Sequence, residues 1–406
     1  MSAELKTQEQ AGGVLHGRAL ALAGDWAAGR AVLEACLDDP ATCRQARHLL
    51  WEICQAMGEP AAGIAHLRAM LSECPLTMRP AAAPRRRILA LARLGDFQTN
   101  LPLDPLLDDQ DCELATLWYD QEQPHPACLD PALVHEMLPG LDLVWIVIAQ
   151  DERSAPALAW ADALAGRLGL PVINTGQAIA AMNRAGVSAL LAPIADAVVP
   201  PVALLPRAGL EAGGMPCPYP AILRPLHSHA GLGLHRLAGP QDLPAALAES
   251  SRALAFHVSP FVDFRGADGL YGKSRIVFVE GRPYPFHHAL HDDWRVWYYN
   301  AGMASSADKR AVEARFLADL PGFYGPRAMA ALEAIGRAVP LDYFGLDCAV
   351  LPDGRLLVFE VETGMIVHDR DDPILYPAKA AWVPRIFRAV EAMLDRRIRN
   401  PRGPHP

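Results

Sequence analysis

The 406-residue chain has no stretch of about 20 apolar residues, so nothing in it reads as a transmembrane helix. Its first ten residues, Met1 to Gln10, are polar and lack the apolar core of a secretory signal. Positive charge is not in excess. With 37 Lys and Arg against 46 Asp and Glu, the formal net charge is −9, which excludes nucleic-acid binding through bulk charge. The eight cysteines (Cys36, Cys43, Cys54, Cys74, Cys112, Cys128, Cys217 and Cys348) form no C-x-x-C pair and no Cys/His cluster at zinc spacing. Thiols scattered in this way fit a reducing compartment, and each reads as a small buried hydrophobe. These absences lead to the expectation of a cytoplasmic protein that uses neither membrane nor nucleic acid. Apolar residues at 51% and charged residues at 20% are ordinary for a globular chain of two or three domains.

An internal repeat is present near the N-terminus. The segment from Gly24, GDWAAGRAVLEACL, aligns with the segment from Gly58, GEPAAGIAHLRAML, at an offset of 34 residues, with eight of 14 positions identical. Apolar positions within each copy recur at helical spacing. The period and the Gly ahead of the second helix resemble the tetratricopeptide repeat, and residues 13–75 hold about two units. Solenoids of this kind use about three or more units, so these two are expected to pack on the following domain or on a second copy.

Pro75, Pro80 and Pro84 with Ala81 to Ala83 read as a linker. Beyond it, Arg87–Ala92 reads as a buried strand, Leu141–Ala149 as an apolar run, Ala157–Leu168 as a helix and Pro171–Asn174 as a short strand. Strand, helix and strand predict a small open α/β domain, with Arg87, Asp96, Asn100 and Asn174 as candidates for its crevice.

The sharpest chemical signal is YFGLDCAVLPDGRLLVFEVET, residues 343–363. Two apolar runs, about 345–351 and 356–361, flank Pro352-Asp353-Gly354 and predict a hairpin. A two-residue turn at Asp353-Gly354 sets Asp347 opposite Glu360, with Glu362 on the same face. Like charges facing each other destabilise a sheet, and burying them is costly unless a cation compensates. Three hard oxygen donors in one cluster suit Mg²⁺.

Upstream, the strand from Ala221 to Arg224 runs into Ser228-His229-Ala230-Gly231-Leu232-Gly233. The backbone N–H groups of this Gly-containing turn could cradle phosphate, with Arg224 as countercharge. His227, His229 and His235 read equally as ordinary loop residues. Residues 256–263, FHVSPFVD, form an apolar strand with a breaker, which could meet adenine through Ser259 and Phe261, with Asp263 on the ribose. Lys273 and Arg275 stand at i and i+2 on the next strand, one face of which could hold a transferring phosphate. The alternative is a pair of edge-strand surface cations.

In this order the Gly loop, acid-bearing hinge, Arg-bearing strand and Asp…Glu-x-Glu hairpin resemble the ATP-grasp superfamily. More narrowly, the chain resembles bacterial proteins that join tetratricopeptide-like repeats to an ATP-grasp module, a likeness that GDFQTNLPLD and ETGMIVHD also carry. The resemblance implies an α/β (α+β) fold. It comprises a helical repeat domain over 1–80, a pre-ATP-grasp α/β domain over 86–180 and a catalytic module over 181–400, with a lid over about 205–265 and the metal hairpin at 345–362. It implies ATP and Mg²⁺, the metal held by Asp347, Glu360 and Glu362, the last standing where Asn is usual. Arg224 stands in for the usual phosphate-binding lysine, Arg184 matches a second phosphate-binding cation, and Arg275, with Lys273 beside it, would hold the acyl phosphate. The implied reaction is ATP-dependent joining of a carboxylate to an amine, on a small molecule or a peptide. His287, His288, Tyr298 and Tyr299 are candidates to shape the substrate site. The repeats would present a surface to a peptide, a protein or a second copy. A small-molecule kinase and a non-catalytic adaptor are the competing readings.

Overall fold

The structure is a computed structural model that describes residues 3–107, 111–226, 228, 231 and 233–400. The candidates His227 and His229 lie outside the described residues. The chain divides into two compact units: one of residues up to 101, 108–149 and 156–172, the other of residues 102–107, 150–155 and from 173 onward. Among the described residues no helix is long and apolar enough to cross a membrane. All eight cysteines are free thiols.

The first unit begins with two helical hairpins, α1 (Ala3–Leu22) with α2 (Trp26–Glu34) and α3 (Cys43–Ala56) with α4 (Pro60–Leu71). Gly24 and Gly58 turn the two hairpins at φ +86° and +79°, a conformation that suits glycine. The 34-residue offset holds in three dimensions. A Cβ on Gly29 would sit 2.9 Å from the Gly17 carbonyl, and one on Gly63 would sit 2.8 Å from that of Trp51, the residue equivalent to Gly17. The repeated glycines are thus where each helix pair comes closest.

A five-stranded sheet follows, in the order β1-β3-β2-β4-β5. Its strands are β1 (Leu76–Arg79), β2 (Arg86–Arg93), β3 (Cys112–Tyr119), β4 (Leu143–Ile146) and β5 (Val172–Ile173). Strand β2 runs parallel to β3 and β4, while β1 pairs antiparallel to β3 as the edge. The expected linker therefore contains a strand, its prolines confined to the flanks of β1, where an edge tolerates them. Helices α5 (Pro131–Met137) and α6 (Ala155–Leu168) accompany the sheet. Within this unit the second hairpin packs on the sheet's loops. Trp51 Nε1 donates to the Gly95 carbonyl at 3.0 Å, the Phe97 amide donates to Gln55, and the Trp51 ring meets Phe97 and Trp118 edge-on.

The expected crevice residues do not converge. Arg87 is the second residue of β2, at the opposite end from Asp96 and Asn100. Asp96 accepts from Gln98 and Thr99 in its own turn, and Asn100 clamps both backbone groups of Arg93. Asn174, in the second unit, is buried against the backbone of Asp342 and Tyr343. The short side chains of Asp96 and Asn100 found local partners first, whereas Asn174 found backbone groups far along the chain.

The second unit opens with α7 (Gly176–Ala181) and α8 (Arg184–Leu191) and carries two sheets. In the smaller, β7 (Ala203–Pro206), β10 (Ala255–Pro260), β8 (Ala221–Pro225) and β9 (His235–Leu237) lie side by side in that order. Helices α9 (Arg207–Glu211) and α10 (Leu243–Glu249) pack on it through Leu210, Leu247, Leu223 and Phe256. The larger sheet runs β12-β11-β13-β14-β6. It contains β6 (Ala197–Val198), β11 (Tyr271–Val279), β12 (Arg282–His291), β13 (Tyr343–Val350) and β14 (Leu356–Glu362). Helices α11 (Ala307–Ala318), α12 (Leu320–Ala338) and α13 (Pro377–Arg399) complete the unit. Helix α12 breaks at Gly325, φ 75°, because the residue ahead of a proline, here Pro326, avoids helical backbone.

Gly63→Val should destabilise the chain by about 1–3 kcal/mol, since its side chain meets a backbone carbonyl that cannot yield. Gly166→Ala, on α6 with open space around the added methyl, should stabilise by about 0.5–1 kcal/mol. Urea-unfolding midpoints of the two variants should therefore move in opposite directions from the wild type.

Candidate active site

Strands β13 and β14 form the expected hairpin, by a route that differs from the expected one. The turn has three residues, Pro352 to Gly354, with Gly354 at φ 83° and its amide donating to the Leu351 carbonyl. That turn alone would set Asp347 opposite Phe359. A β-bulge between Cys348↔Val358 and Asp347↔Glu360 inserts Phe359 and restores the Asp347–Glu360 pair. Glu362 then faces Gly345. Glycine is required there because a Cβ would overlap the Met365 side chain, which folds back over the strand while its carbonyl accepts from the Tyr343 hydroxyl at 2.8 Å.

Asp347 and Glu360 each meet their own cations. Asp347, 1% exposed, lies directly across from Arg275 of β11. Its oxygens are 2.6 Å from Lys273 Nζ and 3.0 Å from Arg275 Nε. Burial would raise this acid, yet Arg275 and then Lys273 hold it well below the usual carboxylate range. Glu360 lies 3.1 Å from Arg184, the first residue of α8, and 3.7 Å from Arg224 of β8. Burial is again outweighed, here by Arg184 and Arg224, and Glu360 is held low. Glu362 accepts from the Gly364 amide at 3.0 Å; burial and the neighbouring Glu360 push it up. Arg224 is lowered by burial and by Arg184, with Glu360 acting against them.

Seven of the expected residues thus share one neighbourhood: Arg184, Arg224, Lys273, Arg275, Asp347, Glu360 and Glu362. Ser228 joins through Arg224, whose Nε and Nη2 donate to its carbonyl at 3.2 and 2.7 Å, the former also to its hydroxyl. Gly231 and Gly233 adopt positive φ and are exposed. Ser259, on β10, pairs with Ile222 of β8. Phe261 packs edge-on against Trp294, and the Arg236 guanidinium lies 4.1 Å from its ring centre. Asp263 is exposed and accepts from the Arg265 amide.

The donor set suits a divalent cation with a polyphosphate, since hard carboxylate oxygens alternate with guanidinium and ammonium groups. Among the described residues, no three His, Cys, Asp or Glu side chains converge as a ready-made metal cage.

A second buried network adjoins Arg275, whose cross-strand neighbour on β12 is His287. Lys379, 2% exposed, reaches Asp371 at 2.5 Å and the Tyr298 hydroxyl at 3.2 Å, with the rings of Phe286, Tyr298 and Tyr376 around it. Tyr298 donates to Glu313, which also accepts from the His288 amide. Of the candidates for the substrate side, His287, His288 and Tyr298 belong to this network, whereas Tyr299 is 79% exposed. Sequence reasoning missed Lys379, Glu313 and Arg236. None stands in a motif, and each has a partner well removed in the chain: Tyr298 for Lys379 and Glu313, and Phe261 for Arg236.

No protein-family model matches the chain, and no curated protein matches it. Among solved structures it is similar to the VanG D-Ala:D-Ser ligase from Enterococcus faecalis, at 13% identity and TM-score 0.44, over 76% of this chain and 99% of that one. It is similar to the D-alanine-D-alanine ligase from Coxiella burnetii, at 14% identity and TM-score 0.43, over 77% and 96%. A RimK domain protein ATP-grasp from Sphaerobacter thermophilus DSM 20745 is similar at 16% identity and TM-score 0.44, over 75% and 99%. At identities and TM-scores this low, the likenesses decide neither family nor activity. The functional reading rests on the site's own geometry.

Burial lowers His288 to about 4, and His287 falls well below the ordinary imidazole value for the same reason. Each folded-state value lies below its unfolded one. Their stabilising contribution is therefore complete above about pH 6.5 and is lost as the pH falls towards 4, where the unfolded chain takes up protons that the folded chain refuses. From pH 7 to pH 5, His288 alone should cost about 2 kcal/mol. Urea unfolding at the two pH values should show this loss, and His288→Gln should lose less between them than the wild type.

Proposed function

We propose that this chain is an ATP-dependent ligase of the ATP-grasp type, joining a carboxylate to an amine. The observation that carries the reading is the alternation at the hairpin. Asp347 sits between Lys273 and Arg275, and Glu360 between Arg184 and Arg224, on elements drawn from both sheets and a helix terminus. A nucleotide polyphosphate needs fixed cations along its length, and the Mg²⁺ that accompanies it needs hard oxygen donors at the same place.

In this reading Arg184 and Arg224 bind the phosphates, with the loop after Arg224 offering backbone N–H groups from Gly231 and Gly233. Ser259, Phe261 and Asp263 face the nucleoside, and Arg236 stiffens Phe261 from behind. Asp347, Glu360 and Glu362 would hold Mg²⁺, which supplies charge neutralisation on the phosphates. Arg275 and Lys273 hold the oxygens of the phosphoryl group as the substrate carboxylate accepts it, and an amine then displaces phosphate to leave an amide. Positioned donors of this kind contribute about 3 kcal/mol each to the barrier reduction. The substrate side is bounded by His287, His288 and Tyr298. The helical hairpins over 1–80 would present a peptide or a second copy, the region 86–180 forms the preceding α/β domain, and 181–400 forms the catalytic module. A cytoplasmic setting agrees with eight free thiols.

Calorimetry with ATP, with and without Mg²⁺, tests the reading. Wild type should bind ATP more tightly with Mg²⁺, and Glu360→Gln should reduce that Mg²⁺-dependent gain at least about tenfold, or 1.4 kcal/mol. Arg224→Met should weaken ATP binding whether or not Mg²⁺ is present. Absence of ATP binding to wild type at millimolar nucleotide would leave the adaptor reading. A phosphorylated product without an amide would assign a kinase.

A further inference from the structure

The ion pairs that build the site also close it. Asp347 has Lys273 at 2.6 Å and Arg275 at 3.0 Å, and Glu360 has Arg184 at 3.1 Å and Arg224 at 3.7 Å. Glu362 gives one oxygen to the Gly364 amide. Four cations face three carboxylates, and Glu152 also acts on Arg224, so the cluster has no excess of negative charge before any metal enters it. A divalent cation arriving alone would have to separate an existing ion pair and add two charges to a cluster with no negative charge to spare. A polyphosphate does the reverse: it offers the arginines and the lysine a better-matched partner, because its oxygens accept from guanidinium forks in pairs. As they turn to it, the carboxylates are released towards the metal.

Resting on the nucleotide reading above, we infer that Arg184, Arg224, Lys273 and Arg275 act as a lock on the metal site: the carboxylates take a divalent cation only after a polyphosphate has drawn the cations away. The coupling is reciprocal, so metal also tightens polyphosphate binding, by more than the association of the two in free solution. Removing one cation of the lock should create a metal site in the protein without nucleotide, an effect that chelation by a nucleotide cannot produce.

The test uses Mn²⁺ alone as probe, because it prefers the same oxygen donors and its free ion is counted directly by electron paramagnetic resonance. Wild type, Arg184→Met and Lys273→Met are titrated without nucleotide, each checked for folding by circular dichroism. The two variants lie on different elements and unlock different carboxylates, so a folding failure in one leaves the other to decide. Wild type should bind Mn²⁺ weakly, and each folded variant at least about tenfold more tightly. Inorganic tripolyphosphate should then raise Mn²⁺ binding to wild type by a larger factor than to either variant. Wild type binding Mn²⁺ alone as tightly as both variants would overturn the lock, even if Mg-ATP binding proved normal. Failure of wild type to bind ATP would overturn the nucleotide reading instead, and the Mn²⁺ comparison would still report on the lock.

Discussion

Three acidic side chains on one face of an otherwise apolar hairpin, Asp347 buried and Glu360 and Glu362 half-buried, oblige the surrounding elements to bring positive charge to them. Asp347 and Glu360 face each other across β13 and β14, and in an apolar environment neither could remain ionised alone. The second unit answers from several directions. Strand β11 brings Lys273 and Arg275, β8 brings Arg224, and the first turn of α8 brings Arg184. The start of a helix is a poor place for a cation, because the helix dipole is positive there. Arg184 is tolerated because Glu360 faces it. The smaller sheet and the larger one are therefore tied together by charge.

The second network shows the same physics with a different balance. Lys379 is almost wholly buried, with one carboxylate, one phenol and three aromatic faces around it. Aromatic faces partly replace lost hydration for an ammonium group, and Asp371 supplies the countercharge. Glu313 lies 3.6 Å from His287, whose charged form burial disfavours. Burial raises Glu313 while Tyr298 and the His288 amide hydrogen-bond to it. The segment that leaves the hairpin after Glu362 is held at Met365 by Tyr343 and at Asp371 by Lys379. The far side of the site is thus fixed by buried polar bonds, which give a definite geometry where an apolar wall would slide.

In the first unit the governing constraint is closeness. Gly29 and Gly63 allow each pair of helices to approach until backbone meets backbone, and the partners they touch are themselves 34 residues apart. Two hairpins alone leave one face uncovered. Part of it is covered by Trp51, Gln55, Phe97 and Trp118, which join the second hairpin to the loops of the sheet.

Much of this was legible from local pattern. The repeat, β2, the carboxylate-bearing hairpin and the strand of Lys273 and Arg275 each follow from periodicity and turn residues, which act over a few neighbours. The Asp347–Glu360 pair was also read correctly, but from a two-residue turn. In the structure a three-residue turn and a bulge at Phe359 offset each other, and nothing in the local sequence announces a bulge, because it answers to packing on the neighbouring strand. Strand β1 was hidden by its flanking prolines, and β3 by the absence of strict alternation in a strand packed on both sides. The sequence by itself determined which residues carry charge and which segments pair as nearest neighbours along the chain. Only the tertiary structure decided which cation meets which carboxylate. Those partners lie up to 176 residues apart, as Arg184 and Glu360 do, and long-range electrostatic pairing leaves no periodic trace in the chain.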